Sequence, residues 1–167
     1  NLTSMSKQVS LQIGNGETLD FEDEAFDGGY SQHVTMNINN RKDFFLEAYR
    51  VLKKGTFFAF SEHGLGPKGN PIFPLPWADT SEMSFLLSPE STISLLKEIG
   101  FYDIQIIETS EKYISGYEKM IDNKSKKDKP ILGIHVIGGA TMKQRSINSM
   151  KSIKEKRTLP FEIVCKK

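Results

Sequence analysis

The sequence predicts an α/β domain whose helices cover a mostly parallel sheet. Three observations lead there. Segments of two-residue apolar period alternate with segments of helical period, in the order strand, strand, helix, strand, helix, strand, helix, strand. Residues 56–61 (Thr-Phe-Phe-Ala-Phe-Ser) form a continuous apolar run, which suits a strand covered on both faces. Each helical segment is long enough to carry the chain across to a parallel neighbour.

In order along the chain, Val9, Leu11 and Ile13 alternate with polar residues, and a short strand is expected to end at Gly14. Residues 19–27 make an acidic loop with Phe21 and Phe26 as anchors, and residues 28–32 read as a second strand. Phe44, Phe45, Ala48, Val51 and Leu52 share one helical stripe, with Asn40 as N-cap, Asp43 in the first turn and Gly55 beyond the end. The apolar run at 56–61 follows. Residues 64–78 then hold three glycines and four prolines, so a long loop is expected there, of the kind that is usually functional. Ser88, Pro89 and Glu90 open a helix with a cap, a proline at its first position and an acid in its first turn. Its stripe is Ile93, Leu96 and Ile99, and Gly100 ends it. Residues 102–108 predict a strand, and 111–121 a helix with Ile114, Tyr117 and Ile121 on one face. Residues 123–129 read as an exposed lysine-rich loop, and 131–137 fit a strand or a helix equally. An amphipathic helix at 143–156 and a strand at 161–165 close the chain.

The totals narrow the function classes. The chain has 167 residues, 38% apolar and 26% charged, which describes a globular domain and excludes a disordered one. No apolar run spans a bilayer, and residues 1–10 carry no apolar leader segment. The single cysteine, Cys165, fits a reducing compartment, so the cytoplasm is the expected location. The net charge of +1 is unevenly spread: 10 Lys/Arg stand against 18 Asp/Glu up to residue 123, and 12 against 3 after it. The basic tail lacks interleaved aromatics, Phe161 being its only one, and reads as a helix face docking on an acidic body, with no nucleic-acid partner. His33, His63 and His135 share no ligand spacing on one element, so no metal site is expected.

In open α/β sheets ligands lie beyond the carboxyl ends of the strands. At those ends five segments resemble class I S-adenosylmethionine-dependent methyltransferases. Residues 14–21 (Gly-Asn-Gly-Glu-Thr-Leu-Asp-Phe) are similar to the family's Gly-Asp-Ala-x-x-Leu-Pro-Phe. Phe26-Asp27 resembles the Phe-Asp before the family's fourth strand, and residues 31–37 (Ser-Gln-His-Val-Thr-Met-Asn) resemble that strand's end. Residues 47–55 (Glu-Ala-Tyr-Arg-Val-Leu-Lys-Lys-Gly) are similar to Glu-Ala-x-Arg-Val-Leu-Lys-Pro-Gly. Residues 73–78 (Phe-Pro-Leu-Pro-Trp-Ala), with Phe101 after the Ile99-Gly100 helix end, resemble the type 11 subgroup that includes sarcosine/dimethylglycine methyltransferases.

The resemblance implies a Rossmann-like sheet without its first two strands. The family's Gly-x-Gly-x-Gly loop has no counterpart, because Gly14-Asn15-Gly16 precedes an acidic turn and not a helix. The expectation is one N-terminally truncated domain over 1–167, with substrate-loop and lid insertions at 64–87 and 110–157. An open sheet edge would remain, to be closed by pairing of residues 9–13 with 28–32 or in a homodimer.

The resemblance also implies roles. Asn15, Gly16 and Glu17 would meet the adenine of S-adenosyl-L-methionine, although Asn-Gly is also a plain turn signal. Ser31, Gln32 and His33 would lie beside the sulfonium, with His33 as the candidate base or alternatively a structural histidine. Met36, Asn37, Glu62, His63, Trp77, Tyr117 and His135 would surround a small-molecule methyl acceptor. Glu62 could attract an amine, and Trp77 could form a wall for a cation or merely anchor its loop. The expected activity is methyl transfer to a small acceptor, an amine or an amphiphile. The alternative is a non-catalytic scaffold that oligomerises through its sheet edge.

Overall fold

A computed structural model describes residues 8–122 and 139–167. The chain enters its sheet at β1 (Gly29–Gln32), crosses through α1 (Arg41–Val51) and returns in β2 (Phe57–Leu65). It continues through α2 (Pro89–Ile99), β3 (Tyr102–Glu108), α3 (Ser110–Asp122), α4 (Met142–Lys154) and β4 (Thr158–Lys166). No helix among the described residues is long and apolar enough to cross a membrane.

The sheet order is β1-β2-β4-β3. Only β1 and β2 pair in parallel, while β4 is antiparallel to both β2 and β3. The expectation of a mostly parallel sheet is therefore corrected. The last strand starts beside the end of β2, with Thr158 opposite Leu65, and runs back between two strands that share one direction. A hairpin-like return needs no crossover, which is why the closing strand can slot in reversed.

Two further expectations change. Residues 9–13 form no strand, and Leu11 and Ile13 are 92% and 102% exposed. An alternating pattern specifies a strand only when a neighbour supplies the ladder, and β1 pairs with β2 alone. Conversely, the apolar run at 56–61 continues to Leu65, because β4 pairs with it over nine residues. Glu62, His63 and Gly64 thus lie inside the strand and not beyond it.

The helices follow their sequence signals closely. Phe45, Ala48, Val51 and Leu52 bury the stripe of α1, while Leu96 is fully buried on α2 with Ile93 and Ile99 packed around it. Both helices cover the sheet face carrying Phe58, Phe60, Phe161, Ile163 and Cys165. Ser88 Oγ accepts the Ser91 N–H at 3.2 Å, and Gly100 ends α2 at φ +118°, a left-handed conformation that favours glycine. Asn40 occupies the N-cap position of α1, but its side chain bonds the Asp43 carboxylate and not the helix backbone.

The proline-rich segment after β2 is held by α4. A loop without strand partners needs other groups to satisfy its backbone. Asn148 Nδ2 donates to Pro74 O at 3.0 Å, Arg145 Nη1 to Leu75 O at 2.7 Å, and Ser152 Oγ accepts from Ile72 N at 3.0 Å. These bonds account for the run of buried polar residues on α4. Several basic residues of the tail dock on acids as well: Arg145 pairs with Asp79, and Lys154 with Glu118 at 2.7 Å.

Candidate functional site

A cavity of about 620 Å³ opens where β1 and β2 end and α3 lies across them. That volume is in the range of small-molecule sites. Its floor is His33, Met36, Asn37 and His63; Pro76 and Trp77 come from the proline-rich loop; α3 contributes Lys112, Tyr113, Gly116, Tyr117 and Met120.

His33 follows the last residue of β1 with φ +53°, an unusual conformation for a histidine. Its backbone N–H donates to Ser61 O at 2.9 Å, and its Nε2 lies 2.6 Å from the Tyr113 hydroxyl. The ring is thereby fixed from both sides. Burial lowers its pKa, opposed by the nearby Glu162 carboxylate. Burial raises that of Tyr113 to about 12, so at neutral pH the phenol keeps its proton and the imidazole is free to take one.

His63 is 2% exposed and stacks on Trp77, with ring centroids 4.6 Å apart and planes at 27°. Tyr113 meets it edge-on at 4.9 Å. Desolvation, with a smaller push from His33, takes the His63 pKa down to about 3, and its Nδ1 is buried without a hydrogen-bond partner. His63 is thus a neutral imidazole packed into the wall between Trp77 and Tyr113. Trp77 Nε1 donates to Ser84 Oγ at 3.0 Å, and Tyr117 OH accepts from Ser149 Oγ at 3.0 Å. The aromatic walls are locked by neighbours, so the cavity does not depend on a ligand to hold it open.

Of the residues singled out from the sequence, His33, Met36, Asn37, His63, Trp77 and Tyr117 come together around this cavity. Glu62 does not. It sits on the opposite face of β2, wholly buried, where it accepts bonds from Thr35 Oγ1, from Arg41 Nη1 at 2.5 Å and from Thr92 Oγ1 at 3.3 Å. Burial pushes its carboxyl above the usual range, and these three partners oppose that shift. Arg41 also donates to Phe85 O at 2.7 Å, so the cluster ties α1, α2 and a loop to the strand. It is a brace, and it removes Glu62 as a partner for an amine in the cavity.

Asn15, Gly16, Glu17, Ser31 and Gln32 also lie outside the cavity wall. Asn15 Oδ1 accepts the Glu17 N–H at 3.0 Å, closing the turn that an Asn-Gly pair favours. A Cβ on Gly16 would come within 2.9 Å of the Phe44 ring, so the backbone packs flat on α1 there. Ser31 is buried within β1 and Gln32 is exposed at its end. His135 lies outside the described residues.

The sequence reading named Tyr117 on α3 but missed Lys112, Tyr113, Gly116 and Met120. Tyr113, Gly116, Tyr117 and Met120 recur at i, i+3, i+4 and i+7, a stripe that was legible on α3. Attention fell instead on the adjacent, more apolar stripe through Ile114 and Ile121.

Known proteins share this sequence and arrangement. Residues 2–60 match the family described as Methyltransferase domain. The Biotin biosynthesis bifunctional protein BioHC of Teredinibacter turnerae is 35% identical over 101 residues, 58% of this chain and 17% of that protein. A Galdieria sulphuraria structure described as a sarcosine dimethylglycine methyltransferase superposes with a TM-score of 0.76 at 16% identity, covering 99% of this chain and 62% of its own. Haemonchus contortus phosphoethanolamine N-methyltransferase 2, solved with S-adenosyl-L-methionine, gives 0.70 at 16% identity, over 92% of this chain and 36% of its own. The chain spans less than two thirds of the length of each of these relatives. The methyltransferase-domain match is confined to residues 2–60, and over almost the whole chain the fold is that of the methyltransferase structures named.

Proposed function

We propose that this chain forms the acceptor side of an S-adenosylmethionine-dependent methyltransferase acting on a small molecule. The observation that carries the reading is the aromatic cavity at the carboxyl ends of β1 and β2, with the fixed His33–Tyr113 pair on its wall. The two solved structures named above bear methyltransferase names, and one of them was solved with this cofactor.

The residues present fit one end of that cofactor. The Asn15-Gly16 turn is exposed and packed flat on Phe44, and Ser31, Gln32 and His33 finish the strand that leads to the cavity. No Gly-x-Gly-x-Gly loop stands in the 167 residues, and the reading assigns them the acceptor side only. The cofactor supplies an electrophilic methyl group on a sulfonium.

The side chains here align the acceptor and exclude water, which are the main demands of an in-line displacement. Where the acceptor must lose a proton, Tyr113 takes it at its hydroxyl oxygen while passing its own proton to His33 Nε2 across the 2.6 Å bond. Segments 64–87 and 110–157 act as substrate loop and lid, contributing Trp77 and the α3 stripe. The test is transfer of labelled methyl groups from S-adenosylmethionine to an acceptor library by the protein that contains this chain. Transfer that falls at least a hundredfold in His33→Ala supports the reading. No transfer, together with no binding of S-adenosylhomocysteine, overturns it.

One observation favours a second reading, a scaffold that dimerises. Among the described residues β1 pairs on one side only, Tyr30 on it is 78% exposed, and the apolar Leu11 and Ile13 are exposed as well. A sedimentation experiment decides this: a mass that stays monomeric across a hundredfold concentration range removes it.

A further inference from the structure

The cavity wall has a polarity of its own. Among the described residues that line it none is acidic, and Lys112 is the only charged one. Lys112 is exposed, and among the described residues it takes part in no ion pair. Three acids on the neighbouring elements do not line the cavity. Glu62 faces the other side of the sheet and holds Arg41, Glu118 on α3 pairs with Lys154, and Glu162 influences His33 and Tyr113 without lining the cavity.

Away from Lys112 the wall is apolar and aromatic. Gly116, one turn along α3, leaves open space beside it, since a Cβ there would meet nothing within 4 Å. Met120, Tyr117 and Trp77 line the same cavity. A charged side chain and an apolar, aromatic wall in one cavity suit a molecule with one charged end.

We propose that the cavity binds an anionic amphiphile, with its carboxylate or phosphate head at Lys112 and its apolar body among Trp77, Tyr117 and Met120. The proposal rests on the acceptor-site reading above and narrows its substrate class from an amine or amphiphile to an anion-headed one.

Trp77 is the only tryptophan in the chain, so its fluorescence reports on the cavity alone. Octanoate, octyl phosphate, octanol and octylamine share one tail and differ in the head. Titrated into the chain without cofactor, octanoate or octyl phosphate is expected to shift the Trp77 emission with a Kd at least tenfold below that of octylamine. The tighter of the two anions separates a carboxylate from a phosphate ligand. Lys112→Glu, an exposed change that leaves the core alone, is expected to reverse the order of anion and amine while octanol is unmoved. Octylamine binding as tightly as the anions, a Lys112→Glu protein with an unchanged ratio, or four probes that leave the emission still would each overturn the proposal. No step uses the cofactor, so a failed methyl-transfer assay sinks the enzymatic reading while the head-group preference stands or falls separately.

Discussion

Glu62 and His63 are consecutive on β2 and almost equally buried, yet they face opposite worlds. Glu62 looks toward α1 and α2, where three donors meet its carboxylate and the space around it is filled. His63 looks toward α3, where an aromatic stack covers it, one nitrogen lacks a partner and the space beyond is open. A buried polar group with every partner supplied holds a fold together. One left without a partner, as His63 Nδ1 is among the described residues, is a cost that the packing around it must offset.

Glu62→Ala gives the largest effect expected from this contrast. It strands a buried guanidinium, and urea unfolding should show a loss of about 3–5 kcal/mol. A Glu62→Ala protein of unchanged stability but altered ligand binding would break the comparison, since Glu62 would then belong to the site.

The other face is read by pH. The folded His63 pKa of about 3 lies below the ordinary 6.5, so the unfolded chain binds a proton that the native state refuses. Stability from this group is therefore complete above pH 6.5 and falls as the pH drops toward 3. Between pH 7 and 5 the loss is about 2 kcal/mol. His63→Leu should remove that slope, and the difference between the two profiles isolates it, because the Glu62 contribution is common to both. Parallel profiles would mean that the imidazole is hydrated in solution.

Smaller changes sharpen the picture of the cavity wall. Tyr113→Phe deletes the bond to His33 and should cost about 1 kcal/mol in unfolding, while slowing any methyl transfer that needs a proton removed. Gly116→Ala lies in a helix with open space beside it, and should stabilise the chain by about 0.5–1 kcal/mol. A loss of stability there would show that α3 closes further onto the strand ends than its position in the structure indicates.

Much of the fold was legible because it is local. The α1 stripe, the Ser88-Pro89 start of α2 and its Gly100 end each follow from side chains within a few residues of one another, and each forms where expected. Residues 9–13 have an equally clear pattern and form nothing, because a strand's hydrogen bonds must come from a distant segment. The same dependence lengthened β2 past Ser61 and reversed β4. Of the site, the residues at the ends of β1 and β2 were found because strand ends are where open sheets bind ligands. Tyr113 was not, since a helical stripe looks the same in sequence whether it faces a core or a cavity.

The sequence by itself determined the order of elements, the buried stripes of α1 and α2, and the alternation that sends Glu62 and His63 to opposite faces of one strand. Which of those faces would be packed and which left open was decided by the tertiary structure alone. α1 and α2 come from the connections on either side of β2, while α3 and the α4 that holds the proline-rich loop arrive from farther along the chain. A side chain's period is set by its own backbone, but its surroundings are set by whatever the rest of the chain brings to that face.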